Sequence, residues 1–204
     1  MQARAEATRA AILVAAAQVL SRRGYDGTTT NHVASRAGVS IGTLYEYFRN
    51  KEQLVAAVMD AHLTEGEALV AAKAESLPPD LLSRPLEELV AFVVHAIVEL
   101  HRHDPALHRV LSSEVPRDRR VVARVTSLEQ RIVERVAILL RLHPEVRAED
   151  VPLAARLCVD AVDALTHRWI IDGDGTPLPA ERLEDELVTM LVAYLKSETR
   201  KRSG

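Results

Sequence analysis

Side chains with hydroxyl, amide and ammonium groups are frequent in the sequence between Thr30 and Lys51, and they make this segment a candidate binding site for polar ligands. Such groups hydrogen-bond to polar ligands and neutralise phosphate. Residues 1–51 also hold seven Lys or Arg against three acidic residues, a net charge of +4; because the whole chain carries −3, the remainder carries −7. A basic segment on an acidic body predicts local attraction to a polyanion without general adhesion to it.

Eight histidines raise the question of a metal site, above all between positions 95 and 108. The residues concerned are His95, His101, His103 and His108, with Glu99 and Asp104 close by. His101 and His103 are two residues apart, hence on different helix faces, and a proline follows at once. We expect a solvated helix end here, no metal site and no other cofactor.

Catalysis is not indicated by any motif of the chain. The sequence has no phosphate-binding glycine loop, no Gly-x-Ser-x-Gly, no His-Glu-x-x-His and no cysteine nucleophile pair. Asp160, Asp163 and His167 share a helix face, but without a nucleophile we interpret them as surface or interface residues. We therefore expect that the protein is not an enzyme.

The compartment is predicted from cysteine usage and from the N-terminal segment. The single cysteine, Cys158, excludes an internal disulfide and favours a reducing environment. The first 20 residues carry charges and an apolar run interrupted at Gln18, which fits neither a signal peptide nor a membrane span. We expect a cytoplasmic protein with no membrane partner.

The composition predicts an all-α fold. Aromatic residues make up 3% of the chain, and Ala, Leu, Val, Arg and Glu dominate it. Apolar periodicity and capping residues predict about nine helices. The first should end at Gly24, the second lie between Thr28-Thr29-Thr30 and Gly38, the third follow Ser40, and the fourth run from Asn50 to Ser76. The others are predicted at about 85–102, 105–113 and 117–142, from Asp150 to Trp169 before Gly173 and Gly175, and from near Pro179 through Leu183, Leu187, Leu191 and Leu195.

Gly38-Val39-Ser40 separates two short helices, which indicates a helix-turn-helix in a three-helix domain. The wider pattern comprises Leu20, Gly24-Tyr25, Thr28-Thr29-Thr30, Val33-Ala34, Ala37, Gly42-Thr43-Leu44-Tyr45, Tyr47-Phe48, Lys51 and Leu54. Over about residues 5–65 this pattern resembles the DNA-binding domain of the TetR family, whereas the rest resembles the family only in helix layout and length. The resemblance implies a DNA-binding domain at 1–50 with its motif at about 29–48. A fourth helix at 51–75 would link it to a helical regulatory and dimerisation domain at 51–204.

The resemblance also implies which residues contact double-stranded operator DNA. They are Thr30, Asn31, Ser40, Ile41, Gly42, Thr43, Tyr45, Tyr47 and Lys51. Hydroxyls and Lys51 would bind phosphate, Asn31 would pair with an adenine edge, and Ile41 and Thr43 would touch thymine methyl groups. Plain structural roles stay open: Thr30 as an N-cap, and the tyrosines as half-buried surface residues. Because the third helix lacks Arg, Gln and Asn, we expect an arm with Arg4 and Arg9, together with operator shape, to share the discrimination.

The regulatory expectation follows from the same resemblance. Family members usually act as homodimers and bind a small molecule in the C-terminal domain. We therefore expect a repressor that a small lipophilic effector releases from a near-palindromic operator. A ligand-independent or activating regulator and a non-specific DNA-binding structural protein stay open. Broad apolar faces predict dimerisation through the last two helices, with packing inside one chain as the alternative.

An effector pocket is predicted from inward-facing residues that mix polarizable or polar groups with aliphatic ones. The candidates are Met59, His62, Phe92, His95, Leu107, Leu111, Cys158, Val162 and Trp169. Each of them also fits a plain core position. Because aromatic residues are scarce, an aliphatic or mixed lipophilic ligand is favoured over a flat multi-ring one.

Overall fold

The computed structural model describes residues 2–116, 119–173 and 178–197, and these ranges form nine α-helices and no strand. The helices are α1 Gln2–Arg23, α2 Thr30–Ala37, α3 Ile41–Tyr47, α4 Lys51–Glu75, α5 Leu86–Arg102, α6 Pro105–Arg109, α7 Arg119–Leu142, α8 Val151–Thr166 and α9 Ala180–Lys196. The all-α prediction is confirmed. None of the described helices combines the length and the apolar character needed to cross a bilayer.

Side-chain caps define several helix starts, as the sequence predicts. The Asp150 carboxylate accepts the Leu153 N–H at 3.0 Å, and Pro152 lies in the first turn of α8. The same arrangement begins α6, where the Asp104 carboxylate accepts the Leu107 N–H at 3.0 Å. These bonds satisfy backbone donors that the helix itself leaves free.

Three short turns were absent from the predicted layout. Leu81–Ser83 forms a 3₁₀ turn, and π-helical turns extend α6 over Val110–Glu114 and α8 over His167–Ile171. Helix α8 was predicted through Trp169, but its α-helical part ends at Thr166. Apolar periodicity does not distinguish α from π winding over one turn, since the two differ by one residue per hydrogen bond. Gly173 follows with φ of +64°, whereas Gly175 lies outside the described residues.

The first compact unit comprises residues up to Glu65 together with Asp104–Ala123. Its hydrophobic cluster includes one face of α1, namely Ile12, Ala15, Ala16, Val19 and Leu20. The α6 segment contributes Leu107, Val110 and Leu111 to the same cluster. A distant part of the chain therefore completes the core on which the three N-terminal helices pack.

The second unit comprises Gly66–His103 and the chain from Arg124 onward. Helix α5 packs against both α8 and α9 there, and the predicted repeat Leu183, Leu187, Leu191 and Leu195 is buried against it. Lys196 at the end of α9 bonds to Glu87 at 2.9 Å and Glu145 at 2.7 Å. These bonds lower the pKa of both carboxyls. These two units are defined by packing contacts and not by function. The functional domain boundary at residue 50 therefore stays a prediction.

Candidate nucleic-acid interface

The turn between α2 and α3 is built by a left-handed glycine and a serine cap. Gly38 has a φ of +69°, and a Cβ placed there would meet no atom within 4 Å. The position therefore needs glycine for its backbone conformation alone. The Ser40 hydroxyl accepts the Thr43 N–H at 3.0 Å and begins α3, as predicted. Leu44 and Phe48 are buried, so α3 can expose only its other face.

The exposed face of α3 carries methyl and hydroxyl groups. Ile41 is 38% exposed and Tyr45 49% exposed, while Thr43 lies between them with its hydroxyl 2.9 Å from that of Ser40. At Gly42 a Cβ would come no closer than 3.7 Å to the Ser40 hydroxyl. Because the protein has space for a side chain at Gly42, a glycine there leaves the backbone open to approach from outside. This fits the close DNA contact predicted for it.

Thr30 and Tyr45 meet at the surface, one from α2 and the other from α3. Their hydroxyl oxygens are 3.1 Å apart. Thr29, not Thr30, is the N-cap of α2, because its hydroxyl accepts the His32 N–H at 3.2 Å. Thr28 is buried and donates to the Gly24 carbonyl at 2.7 Å. The Thr30 hydroxyl is thus free of the capping role, while Asn31 is exposed on the first turn of α2.

Lys51 begins α4 and lies over an aromatic ring of the loop between α1 and α2. Its ammonium nitrogen is 4.0 Å from the centre of the Tyr25 ring, a cation–π distance. The Asn50 side chain accepts the Gln53 N–H at 2.8 Å, and the Gln53 side chain accepts the Arg49 backbone N–H at 2.7 Å. The ammonium group is therefore held near the amino end of a helix, where anions are favoured. Tyr47 is half-buried against the core.

A contact that has no signal in the sequence supports the loop before α2. The Glu114 carboxylate accepts the Tyr25 N–H at 2.7 Å, across 89 positions of sequence. At Gly24, with φ of +69°, a Cβ would lie 2.7 Å from the same carboxylate oxygen. No sequence pattern could have paired these residues, because Glu114 is the last residue of a π-helical turn that apolar periodicity does not predict. Glu114 therefore holds the residue whose ring lies under Lys51.

Arg4 and Arg9 lie within α1, which begins at Gln2, so the predicted arm is helical in the structure. The Arg9 guanidinium lies 5.6 Å from the centre of the Phe48 ring. The high helix propensity of the alanine-rich N-terminal sequence accounts for the difference. Arg36 is occupied as well, since it donates to the Gln18 side chain at 2.7 Å.

Two family models match the chain. Bacterial regulatory proteins, tetR family, matches residues 12–58, and Tetracyclin repressor-like, C-terminal domain, matches residues 85–195. The HTH-type transcriptional repressor Rv3405c of Mycobacterium tuberculosis is 31% identical over 164 residues, which are 80% of this chain and 72% of that protein. The chain belongs to the TetR family. This TetR-family protein is thus a DNA-binding transcriptional regulator, which confirms the resemblance of its N-terminal residues.

Solved structures agree with this assignment. A gamma-butyrolactone receptor, an ArpA-like protein, is 29% identical and has a TM-score of 0.58, with 95% of this chain and 97% of that one covered. FadR from Bacillus subtilis, solved with stearoyl-CoA, has a TM-score of 0.62 at 19% identity and covers 90% of this chain and 97% of its own. The likeness to FadR shows the TetR-family fold alone.

The second unit of this TetR-family regulator contains an apolar cavity of about 300 Å³. We call it the α4–α5–α7 cavity, because its lining comes from Leu69–Leu77, Phe92–Leu100 and Ile132–Leu139. Three charged residues border it, namely Lys73, Glu99 and Arg135. The Lys73 ammonium is 2.7 Å from the Glu99 carboxylate and lowers the pKa of that carboxyl by hydrogen bonding.

The nine residues predicted for the effector pocket are distributed over both units. Met59, Leu107 and Leu111 lie in the core of the first unit, where the His62 ring nitrogen is 3.1 Å from that of His108. In the second unit, His95 lies 3.0 Å from Glu184, and Trp169 packs on the core. Cys158 and Val162 line a void of about 20 Å³, and burial raises the pKa of the Cys158 thiol to about 11. Phe92 is the member of this set that lines the α4–α5–α7 cavity.

Proposed function

We propose that this TetR-family regulator is a non-catalytic, cytoplasmic repressor that binds a near-palindromic operator as a homodimer and is released by a small lipophilic effector. The exposed α3 surface carries the proposal, since it presents methyl and hydroxyl groups and its Tyr45 hydroxyl lies 3.1 Å from that of Thr30. A repressor named Rv3405c among its relatives supports the sign of regulation.

The DNA contacts divide into phosphate binding and base reading. Thr30, Tyr45, Tyr47 and Lys51 would bind phosphate, because hydroxyl and ammonium groups are the usual donors to it. Asn31, Ile41 and Thr43 would read bases, with Ser40 and Gly42 at the approach to the groove. Since methyl contacts distinguish bases less than bidentate hydrogen bonds do, operator shape should contribute to specificity.

Titration of the protein on its own upstream intergenic DNA, with random DNA as competitor, tests the interface. We expect tight binding that resists the competitor and fails in the Tyr45→Ala/Lys51→Ala variant.

The salt dependence of binding tests the role of Lys51 separately. Lys51→Ala alone should reduce the slope of log affinity against log salt by about one, because one phosphate is no longer neutralised. Arg141→Ala, which removes an exposed cation of the second unit, is the matched control and should leave the slope unchanged. Equal reduction of the slope in both single variants would contradict the proposed interface.

Dimerisation is proposed through α8 and α9. Both helices expose large apolar side chains, among them Leu157 and Met190, each 47% exposed, with Leu153 and Tyr194 nearby in sequence. Such a surface favours pairing with a second copy. Leu157→Glu with Met190→Glu should give a monomer in sedimentation experiments, whereas Val14→Glu, at an exposed apolar position of α1, should not. A dimeric double variant would rule out this interface.

Release by an effector is supported by the apolar α4–α5–α7 cavity. FadR, a neighbour in fold, was solved with stearoyl-CoA, which shows that this fold can hold a lipophilic ligand. An effector that prefers the DNA-incompetent state lowers operator affinity by the same coupling free energy, commonly about 1–3 kcal/mol. Filling the cavity with Ala96→Trp should leave a repressor that binds DNA but no longer responds. If adding the protein raises transcription from its operator, the protein is an activator and not a repressor.

A further inference from the structure

We propose that the ligand of the α4–α5–α7 cavity is an anionic amphiphile, whose aliphatic chain fills the cavity and whose acid group binds Arg135. This inference rests on the proposed ligand function of that cavity. It adds the chemical class of the head group and the residue that selects it.

The lining sets the chemistry of the buried part of the ligand. Apart from its three charged residues, the wall consists of aliphatic side chains and one aromatic ring, that of Phe92. A wall of this kind offers no hydrogen-bond partner to a buried polar group, and an unpaired polar group would be destabilised there. The buried part of the ligand must therefore be a hydrocarbon chain.

The charged residues mark where the cavity meets solvent. The Lys73 and Glu99 side chains are 35% and 50% exposed, and Arg135 belongs to the exposed residues of α7. Ile138, one turn further along α7, is also exposed and borders the cavity. A ligand with a polar end would place that end beside these side chains, since the rest of the wall is apolar.

The charge balance at this opening favours an anion. Lys73 and Glu99 neutralise each other at 2.7 Å, and His95 lies 3.7 Å from the same Glu99 carboxylate. Arg135 forms no ion pair with any residue in the described part of the chain, in contrast to Arg131 one turn earlier, which pairs with Glu67. One guanidinium is thus left at the cavity edge.

A guanidinium recognises carboxylate and phosphate groups by paired, charge-assisted hydrogen bonds. An alcohol would gain a weaker hydrogen bond, and an ammonium group would be repelled by Arg135 while Glu99 is already paired. The shared chemistry is therefore an aliphatic chain with an acidic end. That end can be the carboxylate of a free acid or the phosphate of a phosphorylated chain.

Calorimetric titration of the full-length protein with four probes of one chain length tests the inference. The probes are decanoate, decyl phosphate, decanol and decylamine, each below its micellar concentration. We expect decanoate to bind about tenfold tighter than decanol if the natural head group is a carboxylate, and decyl phosphate to do so if it is a phosphate. This expectation follows from charge-assisted hydrogen bonds being about twice as strong as neutral ones. Decylamine should bind most weakly, and the advantage of the anion should shrink as salt is added.

Two variants and one control distinguish binding of the head group from binding of the aliphatic chain. Arg135→Gln should lower the affinity for the anion to that for decanol while leaving decanol binding unchanged. Arg141→Gln removes an exposed cation further along the same helix, away from the cavity lining, and should change neither affinity. Ala96→Trp should remove binding of all four probes, because the indole would occupy the cavity.

The outcomes distinguish this inference from the function on which it rests. Equal binding of decanoate, decyl phosphate and decanol, or anion selectivity that survives Arg135→Gln, would overturn the anionic head group and leave a lipophilic effector standing. No binding of any probe to the unaltered protein would overturn both. Anion-selective binding that does not release operator DNA would support the site described here and refute its role as the effector site.

Discussion

The two compact units place their functional groups by different means. In the first unit, helices of eight and seven residues are set by Gly38, by the Thr29 and Ser40 caps and by Leu44. In the second unit, a cavity lies among residues of three longer helices, with no cap or turn that determines its position. The interface residues of the first unit can thus be read from short-range sequence signals, whereas the cavity depends on packing between distant segments.

Charge is also used differently. Ionic side chains of the second unit pair with one another, as Lys196 does with Glu87 and Glu145. In the first unit, Glu114 binds a backbone N–H and Lys51 lies over an aromatic ring. An ammonium on a ring keeps its hydrogen-bond donors available, and this suits a group that is to meet phosphate.

The largest effect should come from opening the core of the first unit. Leu44→Ala removes a fully buried side chain and should lower the free energy of unfolding by about 2–5 kcal/mol. Urea unfolding can be followed by circular dichroism, which reports helices of both units, and by Trp169 fluorescence, which reports the second. We expect the dichroism midpoint to fall more than the fluorescence midpoint.

Tyr45→Ala is the control for this core substitution, because the side chain is exposed on the same helix. It should change stability by less than about 0.5 kcal/mol. Equal shifts of both midpoints in Leu44→Ala would show that the two cores unfold together and would break the comparison between the units.

A pair of glycine substitutions should have the next largest effect. Gly38→Ala adds only backbone strain, because the space around it is open, and should cost about 1–2 kcal/mol. Gly24→Ala adds the same strain and a collision with Glu114, so it should cost about 1 kcal/mol more as the charge-assisted bond to Tyr25 is broken. In thermal unfolding, the destabilisation by Gly24→Ala should exceed that by Gly38→Ala.

The double variant Gly24→Ala/Glu114→Ala tests the cause of this difference. Glu114→Ala alone removes the bond, and adding Gly24→Ala should then cost no more than Gly38→Ala does. A full additional destabilisation would show that Glu114 is not what makes position 24 sensitive.

Helix caps should behave alike in the two units. Thr29→Ala in α2 and Asp150→Ala in α8 should each cost about 1 kcal/mol, since each removes one acceptor of a free backbone N–H. Thr30→Ala should leave stability nearly unchanged and lower operator affinity. If Thr30→Ala lowers stability as much as Thr29→Ala does, the Thr30 side chain has a structural role.

The smallest effect concerns an ion-pair cluster of the second unit. Hydrogen bonding to Arg124 lowers the pKa of the Glu67 carboxyl, and Arg131 adds to the shift. A carboxyl whose pKa is lowered on folding stabilises the protein above its ordinary pKa of about 4.3, and this stabilisation is lost as the pH falls through the folded pKa. Glu67→Gln should therefore cost less than about 1 kcal/mol at pH 7 and nothing at low pH. A difference from the unaltered protein that persists at low pH would assign the effect to packing.

Most helix boundaries could be predicted because their signals are local. Gly38, Ser40 and Asp150 act on neighbouring backbone groups, and the Leu183–Leu195 repeat defines one face of one helix. Among three adjacent threonines, the choice of Thr29 as the cap was not predictable, because any of the three hydroxyls has the required chemistry. The assignments of DNA-contacting residues stay predictions.

The cavity and the Glu114 contact could not be predicted for a different reason. Inward-facing positions of both units look alike in a hydrophobic pattern. The pattern therefore gives no reason to separate Met59 and Leu111 from Phe92, although of these three residues only Phe92 borders the α4–α5–α7 cavity. Glu114 is the last residue of a π-helical turn, and this winding gives its side chain a different angle around the helix axis from the one that α-helical periodicity predicts. Both features depend on contacts between distant segments of the chain, and apolar periodicity gives no information about such contacts.

The split of the first unit between two stretches of chain limits how this regulator can exchange parts with its relatives. Leu107, Val110 and Leu111 share a core with Ile12 and Leu20. The DNA-binding unit is therefore encoded by two separate stretches of sequence. A single crossover near residue 65, within α4, would join foreign helices α1 to α3 and the start of α4 to a segment 104–123 whose side chains fit another core. Functional chimaeras should therefore exchange both stretches, which requires a second pair of crossovers around residues 104–123. Phylogenetic trees built from the two stretches should agree with each other better than either agrees with the tree of the sequence between them.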